Sequence, residues 1–282
     1  MAHQTFSISN STLLKDTWDA EIGLDPVEET KIADWVQQPV GAQKFGNTLY
    51  LRKLPAFAAS TYSSDNDAGL RAQLTWTTTG ESRVSAAAVT KYSAVGIDSA
   101  TLNRAVDDGN IRAAFRKQLM AAIKEGVDIS LFALATSLSA TEAGAAIDDA
   151  MVRSGLGQLA TNSKGKFTEG ASKLLVVHPT QLKNVWNIPA IKEYQIRGTI
   201  GSAVNAQMNA YGLVWRESGN VVNSGGTYYN PLLLKDAWAL AWNEKPHLLD
   251  VQLDGLTENF IAVTEFGVCE WFDSSGVSLN IT

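Results

Sequence analysis

The feature that decides the fold is an apolar stripe in residues 111–138, which read IRAAFRKQLMAAIKEGVDISLFALATSL. Apolar residues recur there at steps of four, with one step of three: Ile111, Phe115, Leu119, Ile123, Val127, Leu131, Leu134 and Leu138. This spacing places them on one face of an α-helix. No proline interrupts the stretch. The predicted helix is therefore roughly 40 Å long at 1.5 Å per residue, well beyond the average of about 11–12 residues.

Residues 47–98, before this helix, have the pattern of a long hairpin. Thr48–Leu54 alternates like a strand, and Arg83–Val89 and Lys91–Ile97 are further extended segments. The polar stretch between them is a loop of roughly thirty residues, whereas connections in compact domains are mostly short. Because isolated hairpins are only marginally stable in water, we expect this projection to bind a partner surface.

Residues 1–46 precede the hairpin and read as an acidic arm. A short helix is predicted over Pro26–Gln37, with Asp25 as its cap and Pro26 at the first helical position. Trp18 and Trp35 are large apolar side chains within this polar stretch. We expect the arm to pack on another surface.

The remaining segments mix helices with strands, which predicts an α+β fold. Thr141–Leu159 is predicted as an alanine-rich helix, and Lys173–His178 as a buried strand followed by a helical pattern over Leu182–Trp186. From residue 198 onward the pattern turns to short strands and glycine turns. These strands include Leu213–Trp215, Thr227–Tyr229, Leu232–Leu234, Ala237–Trp242, Phe260–Val263, Gly267–Phe272 and Val277–Thr282.

Residues that could carry chemistry are scattered. The histidines, His3, His178 and His247, are far apart and form no metal-binding motif. The single cysteine, Cys269, lies in an apolar strand pattern, which favours a buried thiol over a nucleophile. Residues 155–160 fit a dinucleotide-binding pattern by spacing, but a helix-like segment precedes them where that motif requires a strand. We therefore predict no catalytic residue, cofactor or metal, and disfavour an enzyme with an inserted β-domain.

Charge and hydropathy narrow the function classes further. The formal net charge is -6, whereas proteins that grip nucleic acid through phosphates usually have a basic background. No run of about 18 apolar residues occurs, so no membrane-spanning helix is expected. The first residues lack the pattern of a secretory signal. Synthesis in a reducing cytoplasm fits the single cysteine.

The order of these elements resembles the major capsid proteins of tailed bacteriophages, which have the Hong Kong 97-type capsid fold. The segments that carry the resemblance are Val89–Asp98, Leu175–Pro179, Tyr211–Ser218, Leu234–Trp242 and Phe266–Trp271. The resemblance implies an N-terminal arm at residues 1–46 and an extended β-hairpin loop at 47–98. It further implies a peripheral domain with a long spine helix at 99–197, and an axial domain with closing strands at 198–282.

The function that the resemblance implies is assembly. Pentamers and hexamers of the chain would form an icosahedral phage head around double-stranded DNA, after synthesis in the host bacterial cytoplasm. A portal and a separate scaffolding protein are expected partners, or a scaffolding segment already removed, because the arm is short. The candidate inter-subunit contacts are Trp18, Trp35, Leu54, Phe57, Tyr62, Leu70, Leu74 and Trp76. The alternatives are an encapsulin-like nanocompartment shell and another phage head or tail structural protein.

Basic residues on the long helix allow two interpretations. They are Arg104, Arg112, Arg116, Lys117 and Lys124. They form either a solvated face that pairs with acidic residues of another subunit, or a surface for loose contact with packaged DNA. The first interpretation is favoured, because the acidic background opposes DNA binding.

Overall fold

The computed structural model describes residues 30–53, 82–98, 108–163, 172–189, 191–192, 210–253 and 257–282. The helices are α1 (Asp108–Phe132), α2 (Asp149–Asn162) and α3 (Leu182–Trp186). The strands are β1 (Gln43–Phe45), β2 (Thr48–Lys53), β3 (Ser82–Ala87), β4 (Val89–Asp98), β5 (Thr141–Gly144), β6 (Lys173–Val177), β7 (Leu213–Glu217), β8 (Asn223–Ser224), β9 (Thr227–Leu234), β10 (Trp238–Leu253), β11 (Thr257–Glu270) and β12 (Gly276–Ile281). This mixture confirms the α+β prediction.

Helix α1 is the long helix that the apolar stripe predicts. Its side chains at Leu119, Ile123, Val127 and Leu131 are buried. The helix tightens into a 3₁₀ turn at Ala133–Thr136, so it ends before Leu138, although Leu138 is buried as well. At about 37 Å for its 25 residues, α1 is long enough to pack against two sheets.

The first of these is an antiparallel sheet in the order β10-β11-β4. Alternate residues of β11 point to opposite faces. Phe260 and Ala262 pack against Leu119 and Ile123 of α1, and Phe266 joins the core around Leu131. Strands β10 and β11 are far longer than the short strands predicted over Ala237–Trp242 and Phe260–Val263.

The predicted hairpin is present at its root. Strands β2 and β3 pair antiparallel from Thr48↔Ala87 to Lys53↔Ser82, and β1 adds to the edge of β2. Residues 89–98, assigned to the same loop from the sequence, instead leave the hairpin and pair with β11 as β4. The hairpin root therefore leads directly into the long sheet.

The second sheet has the order β5-β12-β9-β6-β7, with β8 beside β9. Helices α2 and α3 pack on one of its faces, where Val152, Leu159 and Val185 are buried with Leu175 and Leu279. The other face meets the end of α1 and residues 32–36 in a second core. Strands from both sides of the predicted boundary at residue 198 thus pair within one sheet.

Two predicted helices are wrong in part. Residues 30–37 of the predicted Pro26–Gln37 helix form turns, because several of their amide groups bind outside the segment: Asp128 accepts from the amides of residues 31–33, and Gln37 bridges to β10. Residues 141–144 of the predicted Thr141–Leu159 helix form β5, which pairs with β12. Helix α2 begins after Asp148, whose carboxylate caps it by accepting from the Met151 amide at 2.8 Å.

Candidate inter-subunit surfaces

His178 and Cys269, the side chains with the greatest chemical potential in the sequence, make structural contacts in the fold. Within the described ranges, no group of three or more His, Cys, Asp or Glu side chains could hold a metal ion. His178 stacks on Tyr228 with ring centroids 4.4 Å apart, and its Nδ1 lies 2.8 Å from the Thr180 hydroxyl. Cys269 is buried, and that burial raises the pKa of its thiol to about 11, which disfavours a reactive thiolate.

The dinucleotide-like pattern at residues 155–160 lies inside α2, so helical residues directly precede it where the motif requires a strand. A Cβ on Gly155 would lie 2.9 Å from Leu279 Cδ2, so this glycine allows α2 to lie close to β12. In the part of the chain that the structure describes, no helix is both long and apolar enough to cross a membrane.

The root of the hairpin is fixed firmly to the long sheet. Leu49, Leu51 and Ala86 are buried against Ala239 and Cys269. The ammonium of Lys53 donates to the Trp271 carbonyl at 2.6 Å and lies 3.9 Å from the centroid of the Phe272 ring. Lys44 pairs with Glu265 at 2.5 Å on the same side of the sheet. These contacts fix the end of β2 at Lys53 on the long sheet.

Of the eight predicted inter-subunit residues, the structure describes Trp35. Trp18, Leu54, Phe57, Tyr62, Leu70, Leu74 and Trp76 lie outside the described residues. Trp35 is partly buried against the core of its own chain, with the Arg216 guanidinium 5.9 Å from its ring centroid. Its buried indole Nε1 has no hydrogen-bond partner among the described residues. Its contact with a neighbouring subunit stays a prediction.

Residues 31–38 are held on the molecule by Asp128, a role that the sequence analysis missed. The carboxylate of Asp128 is 1% exposed and accepts from the amides of Lys31, Ile32 at 3.3 Å and Ala33 at 2.9 Å. Burial raises the pKa of Asp128, and these three hydrogen bonds oppose the shift. In the sequence, the only feature that indicates this anchoring role is an acidic residue next to the apolar stripe of α1.

Arg216 holds the same segment from the β7 side. Its guanidinium donates to the Lys31 carbonyl and pairs with Asp34 at 2.6 Å. Gln38 accepts from the Trp242 indole at 3.2 Å and donates to the Ala33 carbonyl at 2.9 Å. The segment before β1 thus has a fixed path across β7, α1 and β10.

One face of the β10-β11-β4 sheet lies away from α1. Odd-numbered residues of β11 point there, together with their partners on β4 and β10. At the Gly267 end, the hairpin root covers this face. At the other end it carries exposed and half-buried apolar side chains, with Tyr92 62% and Leu249 44% exposed. We call this area the helix-free face; it comprises Tyr92, Ala94, Leu249, Ile261 and Val263.

The basic residues of α1 divide into two groups. Arg112 pairs with Glu258 of its own chain at 2.8 Å, and Arg116 lies over the Phe260 ring, 5.6 Å from its centroid. Lys117 and Lys124 are exposed. Arg104 lies outside the described residues. The free basic face is therefore smaller than the sequence implies.

Comparison with solved structures gives the fold a clear set of neighbours. The head structure of Helicobacter pylori bacteriophage KHP40 matches with a TM-score of 0.67 at 13% identity, covering 98% of this chain and 98% of that one. The capsid structure of cyanophage P-SCSP1u matches with a TM-score of 0.66 at 13% identity, covering 96% and 93%. The capsid of Myoviridae phage XM1 matches with a TM-score of 0.62 at 14% identity, covering 95% and 97%.

The chain therefore has the fold of these phage capsid structures over nearly its whole length. No protein-family model matches the sequence, and no curated protein matches it. At identities this low, the likeness lies in the layout of the elements, which is also what carried the resemblance in the sequence.

Proposed function

We propose that this chain is the major capsid protein of a tailed bacteriophage, which assembles as pentamers and hexamers into an icosahedral head around double-stranded DNA. The observation that carries the proposal is the match to phage capsid structures over almost the full length of both chains. Few interfaces, repeated under symmetry, let one small chain enclose a genome. The chain has a structural role and no enzymatic one, and it is located in the virion.

The hairpin gives this assembly its main contact between neighbours. The apolar side chains that would bury against the next copy are Leu54, Phe57, Tyr62, Leu70, Leu74 and Trp76. Their receiving surface is the helix-free face, because its apolar side chains are exposed beside an area that the hairpin root already covers. Trp18 and Trp35 would contribute from the N-terminal arm.

Further partners follow from the same proposal. A portal and a separate scaffolding protein would act during assembly in the host bacterial cytoplasm. Lys117 and Lys124 are the exposed basic side chains of α1 that could contact packaged DNA loosely. The net charge of -6 would keep that contact weak.

An encapsulin-like compartment, with the same fold and protein cargo instead of DNA, is the nearest alternative. Electron microscopy of the purified chain, alone and with candidate scaffolding proteins, tests assembly: closed shells with five- and six-fold rings are expected. A stable monomer or small dimer under every condition would overturn the proposal. Nuclease-treated particles that retain double-stranded DNA would separate a phage head from a cargo compartment.

A further inference from the structure

An open groove lies at the β5 edge of the second sheet. It has a volume of about 650 Å³ and is lined by hydroxyl and amide side chains around Gly157: Thr141, Ser154, Gln158, Thr161 and Asn162. Helix α2 forms one wall and β5 the other. No described strand pairs with the outer side of β5. The groove is therefore a polar depression beside an open sheet edge.

A carboxylate lies beside this groove. Glu142 accepts hydrogen bonds from two groove residues, Ser154 at 2.5 Å and Gln158. Both donors are neutral, and the described residues provide Glu142 with no cationic partner. A half-buried carboxylate held by neutral donors still attracts a cation brought to it by another molecule.

Two exposed side chains on α3 complement this groove. Trp186 is 50% exposed, although the preceding residue, Val185, is fully buried. Lys183 is exposed on the same short helix and forms no ion pair with a described residue. Exposed tryptophans beside a basic group are typical anchors of protein interfaces.

The groove and these two side chains lie at opposite edges of one layer. Helix α2 lies over β12 and β5, at one edge of the sheet, where Gly155 contacts Leu279. Helix α3 lies in the connection between β6 and β7, the parallel strands at the other edge. Both helices pack on the same face. A surface on one side that fits a surface on the other side produces a head-to-tail contact, and such contacts form a ring where the rotation between copies closes.

From this arrangement we infer that Trp186 and Lys183 of one copy bind in the groove of the next copy around each ring, with Lys183 pairing with Glu142. The inference rests on the proposed shell function, and it assigns the ring contact to defined residues. It differs from the hairpin contact, which uses another sheet. The polar groove fits the indole N–H and the ammonium, and the partner's β5 edge is left accessible beside them.

Crosslinking distinguishes a head-to-tail contact from a symmetric one. Asn187→Cys, at an exposed position beside Trp186, and Thr161→Cys are combined in one chain and treated with a short bismaleimide during assembly, so that Lys183 and Glu142 stay intact. Cys269 is buried and does not compete. We expect a ladder of dimers, trimers and larger products, because each copy links to two neighbours, and no ladder from either single variant. Products that stop at dimers, or no products from assembled shells, would overturn the inference.

Charge reversal tests the assigned pair. Lys183→Glu and Glu142→Lys should each lower the assembled fraction about tenfold, and the double variant should recover most of it. Trp186→Ala should weaken assembly similarly without changing the melting temperature, because its side chain is half exposed. If the effects of the two reversals are additive in the double variant, Lys183 and Glu142 do not form the proposed pair. If the wild-type chain never assembles, the proposed function itself fails, and this inference fails with it.

Discussion

At Gly267, the root of the hairpin comes so close to β11 that no side chain fits. A Cβ there would lie 2.9 Å from the Ala86 Cβ, 3.0 Å from Leu49 Cδ1 and 3.1 Å from the Ala87 carbonyl oxygen. We expect Gly267→Ala to lower the free energy of unfolding by about 1–3 kcal/mol through overpacking. Urea denaturation of the unassembled chain measures this.

Gly157→Ala is the matched control for that substitution. A Cβ at this position in α2 meets no atom within 4 Å. The change should therefore stabilise the chain by up to about 1 kcal/mol, the difference in helix propensity. Equal effects of the two variants would show that the close approach at Gly267 does not limit the fold.

The buried carboxyl group of Asp128 should make the free energy of unfolding depend on pH. Burial raises its pKa in the folded chain above the unfolded value, despite three amide donors. The folded state therefore binds this proton more tightly, and the stabilisation from protonation is complete below the unfolded pKa. It is lost as pH rises through the folded pKa. The unfolding free energy of wild type relative to Asp128→Asn should increase as pH falls from 7 towards 4, and a difference that decreases would contradict the assignment.

The anchoring role of Asp128 could not be predicted from the sequence. Its amide partner at Lys31 lies 97 residues away along the chain. No local pattern records such a contact. The exposed residues Tyr92 and Leu249 were missed for the same reason, since they meet on one face only through the pairing of β4, β11 and β10.

Among the elements, the start of α2 can be tested most directly, because it differs from the predicted start of the helix. Asp148 caps the helix through the Met151 amide. Asp148→Ala should cost about 1 kcal/mol, whereas Asp148→Asn should cost only a few tenths. Thermal unfolding of both variants measures the difference. A loss of similar size in both would point to the charge of Asp148 and not to its hydrogen bond.

Elements with strong periodicity were predictable, and elements set by pairing were not. The stripe of α1 gives the helix and its buried face directly. Strand β10 appeared as a short strand because Glu244, Lys245 and Pro246 interrupt its pattern. In the structure, register shifts between Trp242 and His247 absorb the interruption. Strand β5 looked helical because pairing with β12, and not local propensity, decides its conformation.

In the whole molecule, the long helix and the root of the hairpin were predictable from the sequence, because each departs from what compact domains usually contain. The length of α1 exceeds the usual helix, and the hairpin loop exceeds the usual connection. The sequence did not predict that α1 packs against both sheets, since this packing depends on contacts between distant strands.

The hairpin contact between copies has a direct test at this scale. Lys53 and Ser82 face each other at the end of the β2–β3 pairing, so a two-residue Asn-Gly turn can replace residues 54–81. The hairpin root stays buried against Ala239 and Cys269 in this variant. We therefore expect a folded chain with a melting temperature close to that of wild type.

Assembly of the same variant should fail, because the helix-free face of each copy loses the apolar side chains proposed to cover it. Sedimentation and electron microscopy should find no closed shells where wild type forms them. Leu249→Glu, a single change on the receiving face, should reduce assembly in the same direction while leaving the fold intact, since Leu249 is 44% exposed. Normal shells from the shortened chain would show that neighbours are joined elsewhere, and the groove beside α2 would then be the stronger contact.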